Sequence, residues 1–163
     1  MTAPLPRWMK TATLFRGLKE VPGPRHNPTI SGWLETLRAW WRDDETPWCG
    51  VFVAYCMKEA NLPCPKLYMR AKAWSDYGAL LRPDSLSPGA ILVFDREGGG
   101  HVGFYVGEDA GHYFVLGGNQ NNEISVMKLG KSRLVASRWP KGEPVLGKPV
   151  RMKIGAVVST NEQ

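Results

Sequence analysis

Three residues of this 163-residue chain could together form a nucleophile with its base and orienting group: Cys49, His101 and Asn119. A thiol nucleophile needs a base within hydrogen-bond reach, and the base needs a third group to fix its tautomer. Cys49 follows Thr46-Pro47, which has the form of a helix cap with proline at the first helical position. That spacing places Cys49 in the first turn of a helix. Free backbone N–H groups and the helix dipole there favour an anion, so the thiol pKa is expected to fall. On position alone, Cys49 reads equally well as a small buried hydrophobe. Cys56 lies deep in the apolar run and Cys64 follows Pro63 in a turn, and neither shares the electrostatic advantage.

His101 opens a predicted strand after Gly98-Gly99-Gly100, where its ring could stand at a sheet edge facing a helix N-terminus. Asn119 follows the next predicted strand and falls at the matching end if the two strands form a hairpin. An Asn there could hold the second ring nitrogen of His101, although by itself it reads as a turn residue. His112 is the rival base, but it sits at the far end of that hairpin, and His26 lies among loop residues.

The elements that must carry these groups divide the chain in two. In the first half, Trp8, Ala12, Phe15 and Leu18 form a short amphipathic helix pattern that stops at Pro22-Gly23-Pro24. Asn27-Pro28 opens a second, with Ile30, Trp33, Leu34, Leu37, Trp40 and Trp41 on one face. Thr46-Pro47 opens a third that runs to Ala60, and a fourth helix is predicted over 71–81 with Trp74, Tyr77 and Leu81 inward. The second half reads as strands at 90–94, 101–107, 112–116, 123–129 and 133–137, with GGNQNN at 117–122 as a turn. On the 101–107 strand, His101, Gly103 and Tyr105 share one face, and Val102, Phe104 and Val106 the other. Helices followed by strands make an α+β domain with an antiparallel sheet. The expected division is one catalytic domain over 1–140 and a basic, polar C-terminal extension over 141–163.

Composition narrows the function classes. Hydrophobic content of 43% with 22% charged residues is that of a globular chain able to bury a core. Three cysteines without a C-x-x-C pair fit free thiols better than a disulfide framework. No apolar stretch approaches the ~20 residues of a membrane span, and the N-terminus lacks the apolar core of a secretory signal. The net charge of +6 is concentrated: residues 128–153 hold eight basic residues and one acidic, a local +7 against −1 elsewhere. Such a flank seeks a polyanion or is simply a solvated surface. No nucleic-acid motif accompanies it, so no nucleic-acid partner is expected.

Four runs carry a resemblance: Asp44-Glu45-Thr46-Pro47-Trp48-Cys49, Ser87-Pro88-Gly89-Ala90-Ile91-Leu92-Val93-Phe94, Gly100-His101-Val102-Gly103-Phe104-Tyr105-Val106-Gly107, and Leu116-Gly117-Gly118-Asn119-Gln120. In this order they are similar to the CHAP family, cysteine, histidine-dependent amidohydrolases and peptidases of papain-like fold that cut peptidoglycan. The likeness runs from about Trp8 to Pro140. It implies Cys49 as nucleophile at a helix N-terminus, His101 as general base and acid, and Asn119 as the orienting group, with N-terminal helices packed on a small antiparallel sheet. Many members carry an acidic residue just before that Asn, where this chain has Gly117. The calcium-binding acidic cluster of some relatives has no counterpart, so neither metal nor cofactor is expected. Trp48, Asp44, Glu45 and Trp74 are the candidate substrate-groove residues, each of which packing would explain as well.

The function this resemblance implies is an N-acetylmuramoyl-L-alanine amidase or peptidoglycan endopeptidase. Its setting would be that of a phage endolysin, cytoplasmic until its release to the cell wall, acting as a monomer. Anionic wall or outer-membrane components are the expected partners of the basic segment. The alternatives are a secretion-delivered wall-degrading toxin, a papain-like thiol acyltransferase and a non-catalytic wall-binding module.

Overall fold

A computed structural model describes residues 5–15, 49–96, 99–120 and 123–152. The helix expected over 28–41, the Thr46-Pro47 cap and the last eleven residues lie outside these described residues.

Helix α1 spans Arg7–Leu14, with Pro6 in extended backbone just before it, and buries Trp8, Met9 and Ala12 on one face. The Trp8 indole donates to the carbonyl of Gly89 (2.9 Å) and stands edge-on to Trp139 with centroids 5.1 Å apart. Gly89 sits at φ +102, and a Cβ there would meet the Pro6 ring, so this junction of helix and turn requires glycine. Trp8→Phe should keep most of the packing and strand the Gly89 carbonyl, costing about 1–2 kcal/mol in a denaturant melt. An unchanged midpoint would show that the bond contributes nothing.

Helix α2 spans Cys49–Glu59 and is apolar nearly all round, with 49–54, 56 and 57 buried. A helix of this kind belongs in the centre of a fold. It ends in a Schellman motif: Asn61 adopts φ 58, its amide donates to Lys58, and the Leu62 amide donates to Met57.

The six-stranded sheet comprises β1 (Ala79–Leu80), β2 (Ile91–Arg96), β3 (Gly99–Glu108), β4 (His112–Gln120), β5 (Glu123–Gly130) and β6 (Leu134–Trp139). Their order is β1-β6-β2-β3-β4-β5, and each neighbouring pair is antiparallel. Helices on an antiparallel sheet are the α+β class expected from the sequence, compatible with a CHAP or papain-like fold.

The predicted helix over 71–81 is not one. Its start is a 3-10 turn, Ala71–Trp74, and its end is strand β1. Gly78 explains the change: it lies at φ +56, and a Cβ there would overlap the Trp139 carbonyl, so the chain turns in a left-handed step and pairs with β6. Trp74, Tyr77 and Leu81 still face inward. The GGNQNN stretch is also more regular than expected, because β4 runs through Gln120 and β5 resumes at Glu123.

The chain beyond Pro140 returns to the sheet. Val150 accepts from the Glu108 amide, the Met152 amide donates to Glu108, and the Val150 amide donates to the Tyr105 hydroxyl. Met152 covers Gly107, where a Cβ would overlap its sulfur. Beneath this strap, buried Glu108 accepts from the Tyr105 hydroxyl (2.8 Å) and pairs with Lys131 (2.6 Å). Several cations of the basic segment are thus engaged within the fold. Lys128 pairs with Asp109, Arg133 donates to the Asp95 carbonyl, and Arg138 donates to the Tyr77 and Gly78 carbonyls.

Candidate active site

Cys49 is the first described residue of α2 and is buried. The backbone amides of Val102 in β3, of Gly50 and of Cys49 itself lie near enough to its thiol to favour the thiolate. Three residues along the helix, Phe52 meets Phe104 edge-on at 6.1 Å, which keeps α2 and β3 in step.

His101 immediately precedes the residue that touches the thiol. It is buried in β3, directly across from Phe94 of β2. Pleating puts it on the face of Phe94 and Tyr105, opposite the face on which Phe104 meets α2.

Asn119 lies near the end of β4. Gly117 pairs with Ser125 and Gln120 with Glu123, so Gly118 and Asn119 together oppose Ile124 in a one-residue bulge. On the other side, a Cβ on Gly103 would lie 3.4 Å from the Gly117 Cα, so β4 continues alongside β3. Asn119 is two residues beyond Gly117 and His101 two before Gly103, which brings both backbones to the same end of the hairpin. Bulges of this kind recur beside active sites.

His112 is at the opposite end of that hairpin, where its Nδ1 lies 3.1 Å from Asp109 and its amide donates to the same carboxylate. Trp74, expected in the groove, is instead core: it is fully buried, packs at a tilt against Tyr77 and donates to the Tyr68 carbonyl (3.0 Å). It acts on the site from behind, by holding the loop that precedes it. Trp48, Asp44, Glu45 and His26 lie outside the described residues.

The thiol does not behave as the helix position suggested. Burial pushes the Cys49 pKa above its ordinary value and outweighs the Val102 amide, the Arg96 guanidinium and the helix amides, all of which pull it down. Cys56 is pushed well above by burial and by the nearby Glu59 carboxylate. Burial takes Cys64 up to about 11, with Lys58 opposing. Cys49 is the one of the three that combines a guanidinium with amides from two elements. Arg96→Gln should raise its pKa further, moving the pH midpoint of iodoacetamide labelling upward as followed by peptide mass spectrometry. A midpoint unmoved by the substitution would mean that Arg96 does not reach the sulfur.

Sequence reasoning missed Arg96 and Gly50. A pocket of about 340 Å³ opens beside Cys49, with Arg70, Lys72, Arg96 and Gly100 in its wall. Gly50 admits the Tyr68–Met69 backbone against the start of α2, since a Cβ there would overlap the Tyr68 carbonyl oxygen. A glycine inside an otherwise apolar helix is the signal that could have found it.

No curated protein matches this chain. Residues 41–119 match the family model of the CHAP domain, and that stretch holds Cys49, His101 and Asn119.

Proposed function

We propose that this chain is a cysteine peptidoglycan hydrolase of amidase or endopeptidase type, with Cys49 as nucleophile, His101 as general base and acid, and Asn119 as the group that orients His101. The observation that carries the reading is that the Val102 amide, on the strand residue next to His101, lies close enough to the Cys49 thiol to lower its pKa, which brings the start of the helix to the strand of the candidate base. CHAP domains are typically cysteine, histidine-dependent amidohydrolases or peptidases, and the match over 41–119 makes peptidoglycan the expected substrate.

Because burial raises the thiol pKa, the resting nucleophile at neutral pH is a thiol rather than a thiolate. His101 then accepts the thiol proton as sulfur attacks the amide carbonyl, forming a carbon–sulfur bond. The tetrahedral oxyanion is stabilised by amides at the start of α2. His101 returns the proton to the leaving nitrogen, the carbon–nitrogen bond breaks, and an acyl-enzyme remains. Water, deprotonated by His101, attacks the thioester and releases the acid and the thiol.

Turbidity loss of purified peptidoglycan, with mass spectrometry of the released fragments, tests the reading and names the bond. Fragments that appear only when a nucleophilic amine is supplied would replace it with acyl transfer. Inert protein on several wall types would remove it.

The endolysin setting belongs to the same proposal. When the chain is expressed in a Gram-negative host and chloroform opens the inner membrane, the culture should clear within minutes. A culture that keeps its turbidity would count against a lysin released from the cytoplasm.

A further inference from the structure

The pocket beside Cys49 is unusual in its charge. Its wall carries Arg70, Lys72 and Arg96 around the nucleophilic sulfur. Lys72 already has a partner in solvent, Asp95 at 2.7 Å, and its stem runs across Gly100, where a side chain would obstruct it. Arg96 differs: its Nε is buried and has no hydrogen-bond partner among the described residues. A buried guanidinium donor is costly to leave unmade, and its planar fork fits a carboxylate with two parallel bonds.

We propose that this pocket seats a free carboxylate of the substrate within about one residue of the amide being cut, with Arg96 as its principal partner and Arg70 and Lys72 supplying positive charge around it. The inference rests on the reading of the chain as a wall hydrolase and adds the substrate class of that site: stem peptides bearing an unmodified carboxylate beside the scissile bond. The chemistry of the wall offers such a group. A γ-linked D-glutamate leaves its α-carboxylate free, and amidation converts the same group into a neutral carboxamide. Arg96 would then both recognise the substrate and hold positive charge near the sulfur, where it lowers the cost of forming negative charge in the attack.

The test is binding, so that it does not depend on turnover. Calorimetry on the full-length Cys49→Ala chain compares two soluble probes, L-Ala-γ-D-Glu-L-Lys and the same tripeptide with D-isoglutamine. The acid form should bind at least about tenfold tighter, a difference of about 1.4 kcal/mol. Adding Arg96→Gln should erase the preference, and Arg96→Lys should restore part of it by charge without the fork. Circular dichroism melts of each variant confirm a folded chain. Equal binding of the two probes, binding of neither, or a preference that survives Arg96→Gln would each overturn the proposal. Solubilisation of peptidoglycan by the wild type decides the hydrolase reading separately. A wild type that digests the wall while the probes bind equally leaves the hydrolase standing without its carboxylate pocket.

Discussion

Cys49→Ala should digest purified peptidoglycan about four orders of magnitude more slowly than wild type, which in a turbidity assay is no clearance at all. The size follows from the proposed mechanism. Without the sulfur no acyl-enzyme forms, and the remaining amides and His101 can only position water against an amide. The fold should survive the change, because alanine keeps the helix and removes one buried atom, a loss of about 1 kcal/mol. A melt within a few degrees of wild type separates lost chemistry from lost structure. Cys56→Ala and Cys64→Ala are the matched controls. Both thiols are pushed up by burial, lie away from the Val102 amide and should leave most of the activity in place. If Cys49→Ala kept more than a tenth of the wild-type rate, the nucleophile would have to be sought elsewhere. If Cys64→Ala were the inactive variant, the half-buried thiol after α2 would be the group to examine.

What the sequence made legible was set by interactions local in the chain. Alternation along 101–107 predicted which residues share a face, and β3 has that pleat, with His101 and Tyr105 on one side and Phe104 on the other. The apolar run after Cys49 predicted a buried helix, and α2 is one. The failures are all tertiary. Tyr77, Trp74 and Leu81 fall at helical spacing and do face inward, yet Gly78 and the pairing of Ala79–Leu80 with β6 make the segment a turn and a strand. Propensity could not foresee a partner 60 residues away. The thiol shift had the wrong sign because the sequence shows the helix start and hides the burial around it. Arg96 fell outside the strand expected over 90–94, and nothing local in ILVFDR says that its Nε ends up buried. Trp74 was offered to the substrate because it is aromatic and near the site. Its indole is spent on the Tyr68 carbonyl instead.

That bond makes Gly50→Ala the most damaging single methyl group that can be added near the site. In a solvent-exposed helix the change would stabilise by about 1 kcal/mol, since alanine is the better helix former. Here the new Cβ would overlap the Tyr68 carbonyl oxygen and stand 3.1 Å from the Met69 carbonyl carbon. Backbone cannot swing aside as a side chain can, and this carbonyl is held from behind by the Trp74 indole at 3.0 Å. Moving the loop away breaks that buried bond, and moving α2 disturbs the contact of Cys49 with Val102. The clash should therefore outweigh the helix propensity and leave a net loss of about 3 kcal/mol. For a chain of this length that is a fall in Tm of roughly 10 °C. Activity should drop further than stability, because the displaced loop runs directly into Arg70 and Lys72 in the wall of the Cys49 pocket. Gly111→Ala is the control: a Cβ there meets nothing within 4 Å, and its Tm should match wild type. A Gly50→Ala chain as stable and as active as wild type would mean that the 68–69 backbone does not close against the helix, and the pocket beside Cys49 would then have no such wall.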